Sequence, residues 1–138
     1  MRRFGAWLGV ALLVYGGFWA AHHTLYTANP RKILVGIDTS AQMDGSAREL
    51  RNAIAAVGDE RYAVFSLVVD KGRRIHSWAA DLQLDQTPVF YGERQFDAFT
   101  DANAMPEIDE ADTLVLISNA QDVGDVANAY RDFRQVFP

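Results

Sequence analysis

The sequence contains no cysteine, so neither a disulfide nor a thiolate metal site can form. Histidine is nearly as scarce. His22, His23 and His76 are too scattered to make a ligand set. No glycine-rich phosphate loop, nucleophile elbow or Cys/His cluster occurs, which removes the common nucleotide, esterase and zinc signatures. Basic residues are few where a folded domain would lie. Of the 13 Lys and Arg, four (Arg2, Arg3, Arg31 and Lys32) flank an N-terminal apolar segment, and the other nine face all 18 acids. Such an acidic domain lacks the basic face that nucleic acid requires. It is also repelled by an anionic membrane surface unless something tethers it.

Long apolar runs are absent too, with one exception. Phe4 to Ala21 is 18 residues without a charge. At about 1.5 Å per residue such a helix rises ~27 Å, against a hydrocarbon core of ~30 Å. Trp7, Tyr15, Trp19 and Tyr26 supply rings for the two interfaces, and the His22-His23 pair falls at the outer one. Arg2 and Arg3 favour a cytoplasmic N-terminus, although Arg31 and Lys32 then lie on the exported side. A cleaved signal peptide is the rival reading, but a cut after Ala21 places Trp19 where a small residue is needed. Residues 1–26 are therefore expected to be a transmembrane signal-anchor helix, single-pass in the cytoplasmic (inner) membrane, with the C-terminal part periplasmic or otherwise extracytoplasmic. Residues 27–32 read as a linker and 33–138 as one domain. Gly5 and Gly9, and Gly17 with Ala21, have the small-residue spacing that lets membrane helices approach closely.

The domain is expected to be α/β. Ile33 to Ile37 has the length and β-branched content of a strand buried on both faces, and Asp38 follows at its carboxyl end. Ser46 and Glu49 have capping-box spacing, and Met43, Ala47, Leu50, Ile54 and Val57 recur on one helical face up to Gly58. Tyr62 to Val69 reads as a second buried strand. Asp70-Lys71-Gly72 is a turn and Arg74 to Trp78 a hairpin partner. Residues 79–111 are acidic and weakly patterned, with a short helix expected over Gln95–Ala102. Thr113 to Ile117 is a third strand, and Val126, Ala129, Tyr130, Phe133 and Phe137 suggest a last helix behind Asp125. The whole predicts a small three-layer, mostly parallel, Rossmann-like sheet with an antiparallel edge hairpin. The loops after Asp38 and Ser118 meet where the strand order reverses.

Asp38-x-Ser40-x-Gln42 after a buried strand resembles the D-x-S-x-S opening of the metal site in von Willebrand factor A domains. The resemblance spans residues 32 to 138 and implies a protein-binding domain whose Mg²⁺ would be held by Asp38, Ser40, Gln42, Thr100, Asn119 and Asp122. This sequence departs from that pattern at Gln42, where the family has serine, and at Asn119, where it has aspartate. The last two strands and helices of a full domain do not follow either. Asp38 and Ser118 also look like the nucleophile and hydroxyl positions of haloacid-dehalogenase phosphatases. Those enzymes need a second acid two residues after the nucleophile, and here that position is Ser40. Gly36-Ile37-Asp38-Thr39-Ser40 is similar to the opening of the actin-like ATP fold as well, which continues in a hairpin rather than a helix. The reading these features favour is a degenerate, truncated member of the von Willebrand type on a membrane anchor. It would act without catalysis as an accessory or assembly subunit whose partners are other proteins of a membrane complex or a second copy of the chain.

Overall fold

The computed structural model describes residues 2–138 apart from Thr87 and Ala104, with the side chains of residues 2–4 and 6 also outside the described set. It divides into two compact units, Met1–Pro30 and Arg31–Pro138.

The first unit is α1, Arg2–Ala28, a helix of 27 residues. Its apolar residues are not confined to one face. Trp7, Leu13, Tyr15, Phe18 and Trp19 are all at least 70% exposed. Near its end the hydroxyls of Thr24 and Thr27 donate to Ala20 O (3.0 Å) and His23 O (2.8 Å), so neither threonine leaves a polar group unpaired on the helix surface. Trp19 stacks on His23 at 5.5 Å between ring centroids. Among the described residues no helix is long and apolar enough to cross a membrane. The expected span starts at Phe4, whose side chain lies outside the described set. Gly5, Gly9 and Gly17 have open space where a Cβ would stand, and Ala21 is exposed.

The second unit is an α/β sheet. Five strands run β1 (Arg31–Ile37), β2 (Ala63–Val69), β3 (Arg74–Ala79), β4 (Thr113–Ile117) and β5 (Phe133–Val136). They are ordered β3-β2-β1-β4-β5, with β3 antiparallel and the rest parallel. β1 is central, with Val35 lying opposite Leu67 on one side and Val115 on the other. Strand alternation sorts the core into two layers. Ile33, Val35, Ile37, Phe65 and Val115 face α2 (Ala47–Gly58), which contributes Leu50, Ile54 and Val57. Leu34, Val68, Leu114 and Leu116 face the other way, onto Phe99, Met105, Val126 and Tyr130. That second layer is built from single turns: a 3-10 turn at Asp97–Phe99, α3 (Glu107–Glu110) and α4 (Val126–Ala129).

Several sequence expectations are corrected. The last helix stops after one turn, and Phe133 belongs to β5 instead. Tyr130 is extended, its hydroxyl donating to Phe99 O (2.7 Å), and the chain then satisfies the open edge of β4. Leu114 N–H donates to Asp132 O (3.0 Å) and Ser118 N–H to Val136 O (3.1 Å). Pairing a buried strand's edge outweighs a helical stripe that four residues cannot sustain. Met43 is buried on its own 3-10 turn (Ala41–Met43), ahead of α2 rather than in it. Ser46 stands at the N-cap of α2 but makes no side-chain capping bond. The helix expected over Gln95–Ala102 is only the Asp97–Phe99 turn.

That turn depends on a glycine in the central strand. A Cβ on Gly36 would stand 2.9 Å from both Cε1 and Cζ of Phe99, whose ring is fully buried, and 3.3 Å from Leu116 Cδ1. Gly36→Ala should therefore destabilise the domain by about 1–3 kcal/mol through overpacking, measured by urea denaturation. A neutral or stabilising effect would show that Phe99 does not seat on β1.

Candidate functional site

The candidate site forms at the carboxyl ends of β1 and β4, the point where the strand order reverses and open α/β sheets place ligands. Strand geometry delivers Asp38 there. It is the residue after Ile37, and its N–H continues the ladder to Ile117 O (3.0 Å). Its carboxylate is fully buried. Oδ1 accepts the Ser40 N–H (2.9 Å). Oδ2 accepts the Ser118 hydroxyl (2.6 Å) and Arg94 Nε (2.7 Å). Burial pushes the carboxyl's pKa up, but the Ser118 and Ser40 hydrogen bonds and the Arg94 charge more than offset it and hold the group below its ordinary value.

Arg94 reaches this carboxylate from an irregular strap that crosses the strand ends. Thr39 O accepts the Tyr91 N–H (2.9 Å), Gly92 O accepts the Ala41 N–H (3.0 Å), and Glu93 O accepts Lys71 Nζ (3.0 Å). The guanidinium also donates through Nη2 to Asn119 Oδ1, while Asn119 Nδ2 donates to Gln42 O (2.8 Å). Asp70 repeats the pattern at the end of β2. Its N–H donates to Ile37 O (2.9 Å), and its buried carboxylate accepts from Thr39 N (3.1 Å), the Thr39 hydroxyl and Lys71 Nζ (2.9 Å).

Of the residues the sequence nominated, Asp38, Ser40, Gln42, Asn119 and Ser118 come together. Gln42 contributes its carbonyl rather than its side chain. The Ser40 hydroxyl is buried with no hydrogen-bond partner among the described residues. Thr100 and Asp122 do not join them. Both line a neighbouring cleft of about 440 Å³, together with Arg94, Asp97 and Asp125. There the Thr100 hydroxyl bonds Asp97 O (2.9 Å) and Asp122 closes its own turn onto the Gly124 N–H (2.8 Å).

The residues present do not fit a magnesium centre. Mg²⁺ wants an octahedron of oxygens anchored by carboxylates. Among the described residues Asp38 is the one carboxylate bonded to Ser40, and the cation held between it and Asn119 is Arg94. Among the described residues no group of three His, Cys, Asp or Glu converges. Sequence reasoning missed Arg94, although a signal was there: it is the one Lys or Arg between Arg74 and Arg131, in the most acidic stretch of the chain.

No family model, curated protein or solved structure matches this chain. Its chemistry is therefore read from the site alone, and the site is a closed hydrogen-bonded clamp.

Two outcomes follow from the clamp. A carboxyl whose folded pKa is lowered contributes stability that is present above its unfolded value, near 3.8, and lost as pH falls through the folded value. The destabilisation of Asp38→Asn relative to the native chain should thus be large near neutral pH and shrink as the pH falls below the ordinary value of 3.8 in denaturant titrations. A difference unchanged across that window would mean the carboxylate is not ionised in the fold. Millimolar Mg²⁺ should leave the melting temperature of the native chain unchanged, whereas a clear upward shift that Asp38→Asn abolishes would show that the ion binds at Asp38.

Proposed function

We propose that this chain is a membrane-anchored protein-binding module, an accessory or assembly subunit of a membrane-associated complex. In this reading α1 is a single-pass anchor in the cytoplasmic membrane with its N-terminus inside, and the α/β unit stands on the far side as a degenerate von Willebrand factor A-like domain. The observation that carries the proposal is α1 itself. A helix of 27 residues with large apolar side chains exposed on several faces is a surface that water solvates poorly. The membrane reading takes in the full uncharged run from Phe4, which includes positions outside the described side chains.

A binding role is favoured over a catalytic one by the state of Asp38. An aspartate nucleophile needs a free oxygen aimed at the phosphorus, and a general acid beside it. Here Ser40 N–H holds one oxygen, Ser118 and Arg94 hold the other, and position 40 carries no acid. Lys71, the nearest lysine in the adjoining loop, is committed to Asp70.

Two measurements test the proposal. The tagged chain should remain in the membrane pellet after alkaline carbonate extraction. Purified in mild detergent, it should carry membrane-complex proteins at reproducible stoichiometry by mass spectrometry. Release by carbonate, or recovery of this chain alone, contradicts the proposal. Phosphatase activity of purified protein that disappears in Asp38→Asn would contradict it in favour of the haloacid-dehalogenase reading.

A further inference from the structure

The two outer strands of the sheet differ in regularity. β3 pairs with β2 through register shifts between Phe65 and Leu67 and again between Leu67 and Val68. Such irregularities twist an edge and spoil it as a template for an incoming strand. β5 has none: its four residues pair with β4 in unbroken register. The carbonyls of Asp132 and Val136 face β4. Alternation along the strand then turns the backbone N–H and C=O of Phe133 and Gln135 outward. Beside them Phe137 is 65% exposed.

We propose that β5 is where a second copy of this chain adds, antiparallel, about a twofold axis at Gln135, so that two five-stranded sheets become one of ten strands. Charge and register choose both the occupant and the axis. In an antiparallel self-pair, outward-facing residues must lie opposite outward-facing residues, so an axis in mid-strand passes through Arg134 or Gln135. An axis at Arg134 sets two guanidinium groups against each other, a destabilising like-charge pair. With the axis at Gln135, Arg134 lies opposite Val136 of the partner subunit and Phe133 opposite Phe137 of the partner subunit, giving two aromatic cross-strand pairs. Pro138 then falls at a position that donates no ladder hydrogen bond, where its missing N–H costs nothing. Arg134 also pairs with Glu60, which weakens but does not remove the repulsion toward a second Arg134. Residues 131–138 hold two Arg and one Asp in an otherwise acidic domain, so this edge does not share the domain's net negative charge and two copies can approach along it. One strand pair is small beside the ~1,200–2,000 Å² of a standard interface, so the dimer is weak and concentration-dependent. The proposal stands apart from the membrane reading.

The chain has no native cysteine, which makes disulfide trapping a direct test on the full-length protein in mild detergent. Arg134→Cys and Val136→Cys are made as separate, differently tagged variants, each checked to unfold at the native midpoint. Residues opposite each other at such a position have Cα atoms about 4.5 Å apart, inside disulfide range. The native chain should sediment as a concentration-dependent dimer. The mixed variants should form a disulfide-linked heterodimer under mild oxidation, at least several-fold more than either variant alone. A monomer at every concentration overturns the proposal. So does a dimer whose mixed variants fail to cross-link, since it is held elsewhere, α1 included. Cross-linking of Arg134→Cys with itself overturns the Gln135 axis.

Discussion

The arrangement at the head of the sheet rests on one ion pair, between the buried Asp38 and the partly buried Arg94. Asp38 leaves the end of the central strand with its carboxylate fully enclosed, a position that costs several kcal/mol unless the charge is met. Arg94 meets it, and the Ser118 hydroxyl and the Ser40 amide add two further hydrogen bonds. The bond therefore ties β1, β4 and the strap at Tyr91–Arg94 to one another. It also fixes Asn119 and, through Asn119, the carbonyl of Gln42. A second tie, Lys71 between Asp70 and Glu93 O, holds the same strap to the end of β2. The crevice that a fold of this class leaves open for ligands is here spanned by the protein's own backbone and cations.

A guanidinium in this place is chemically unlike a bound divalent ion. A divalent ion holds its neighbours by charge and by coordination, and releases them when it leaves. A guanidinium supplies one positive charge and directed N–H donors, and stays covalently part of the strap. The acids Asp97, Asp122 and Asp125 around the adjoining cleft are left to set its potential, since none of them reaches Asp38.

The sheet's middle was legible because local and global requirements agree there. The unbroken apolar runs of β1, β2 and β4 have no stable alternative to burial on both faces, and the order β3-β2-β1-β4 follows from the connections. The meeting of the Asp38 and Ser118 loops was legible for the same reason. What escaped was set by distant partners in some places and by a residue's own turn in others. β5 carries an apolar spacing that also fits a helix, and the open edge of β4 decides between them. Met43 has the helical interval to α2 but is drawn into a separate turn before it. Thr100 is held by Asp97 in its own turn, and Asp122 by Gly124. Arg94 lies in a stretch with no periodicity, where only its isolation among acids marked it.

The account turns on whether Asp38 and Arg94 act as one unit, and a double-mutant cycle measures that directly. Asp38→Asn, Arg94→Gln and the combination are unfolded in urea at neutral pH and low salt. If the pair is the clamp described here, each single change leaves its former partner uncompensated, and the double variant recovers part of the loss. The coupling energy should then be at least about 1.5 kcal/mol. Additivity within about 0.5 kcal/mol would mean the two side chains are neighbours without consequence, and the closed site would have to be abandoned.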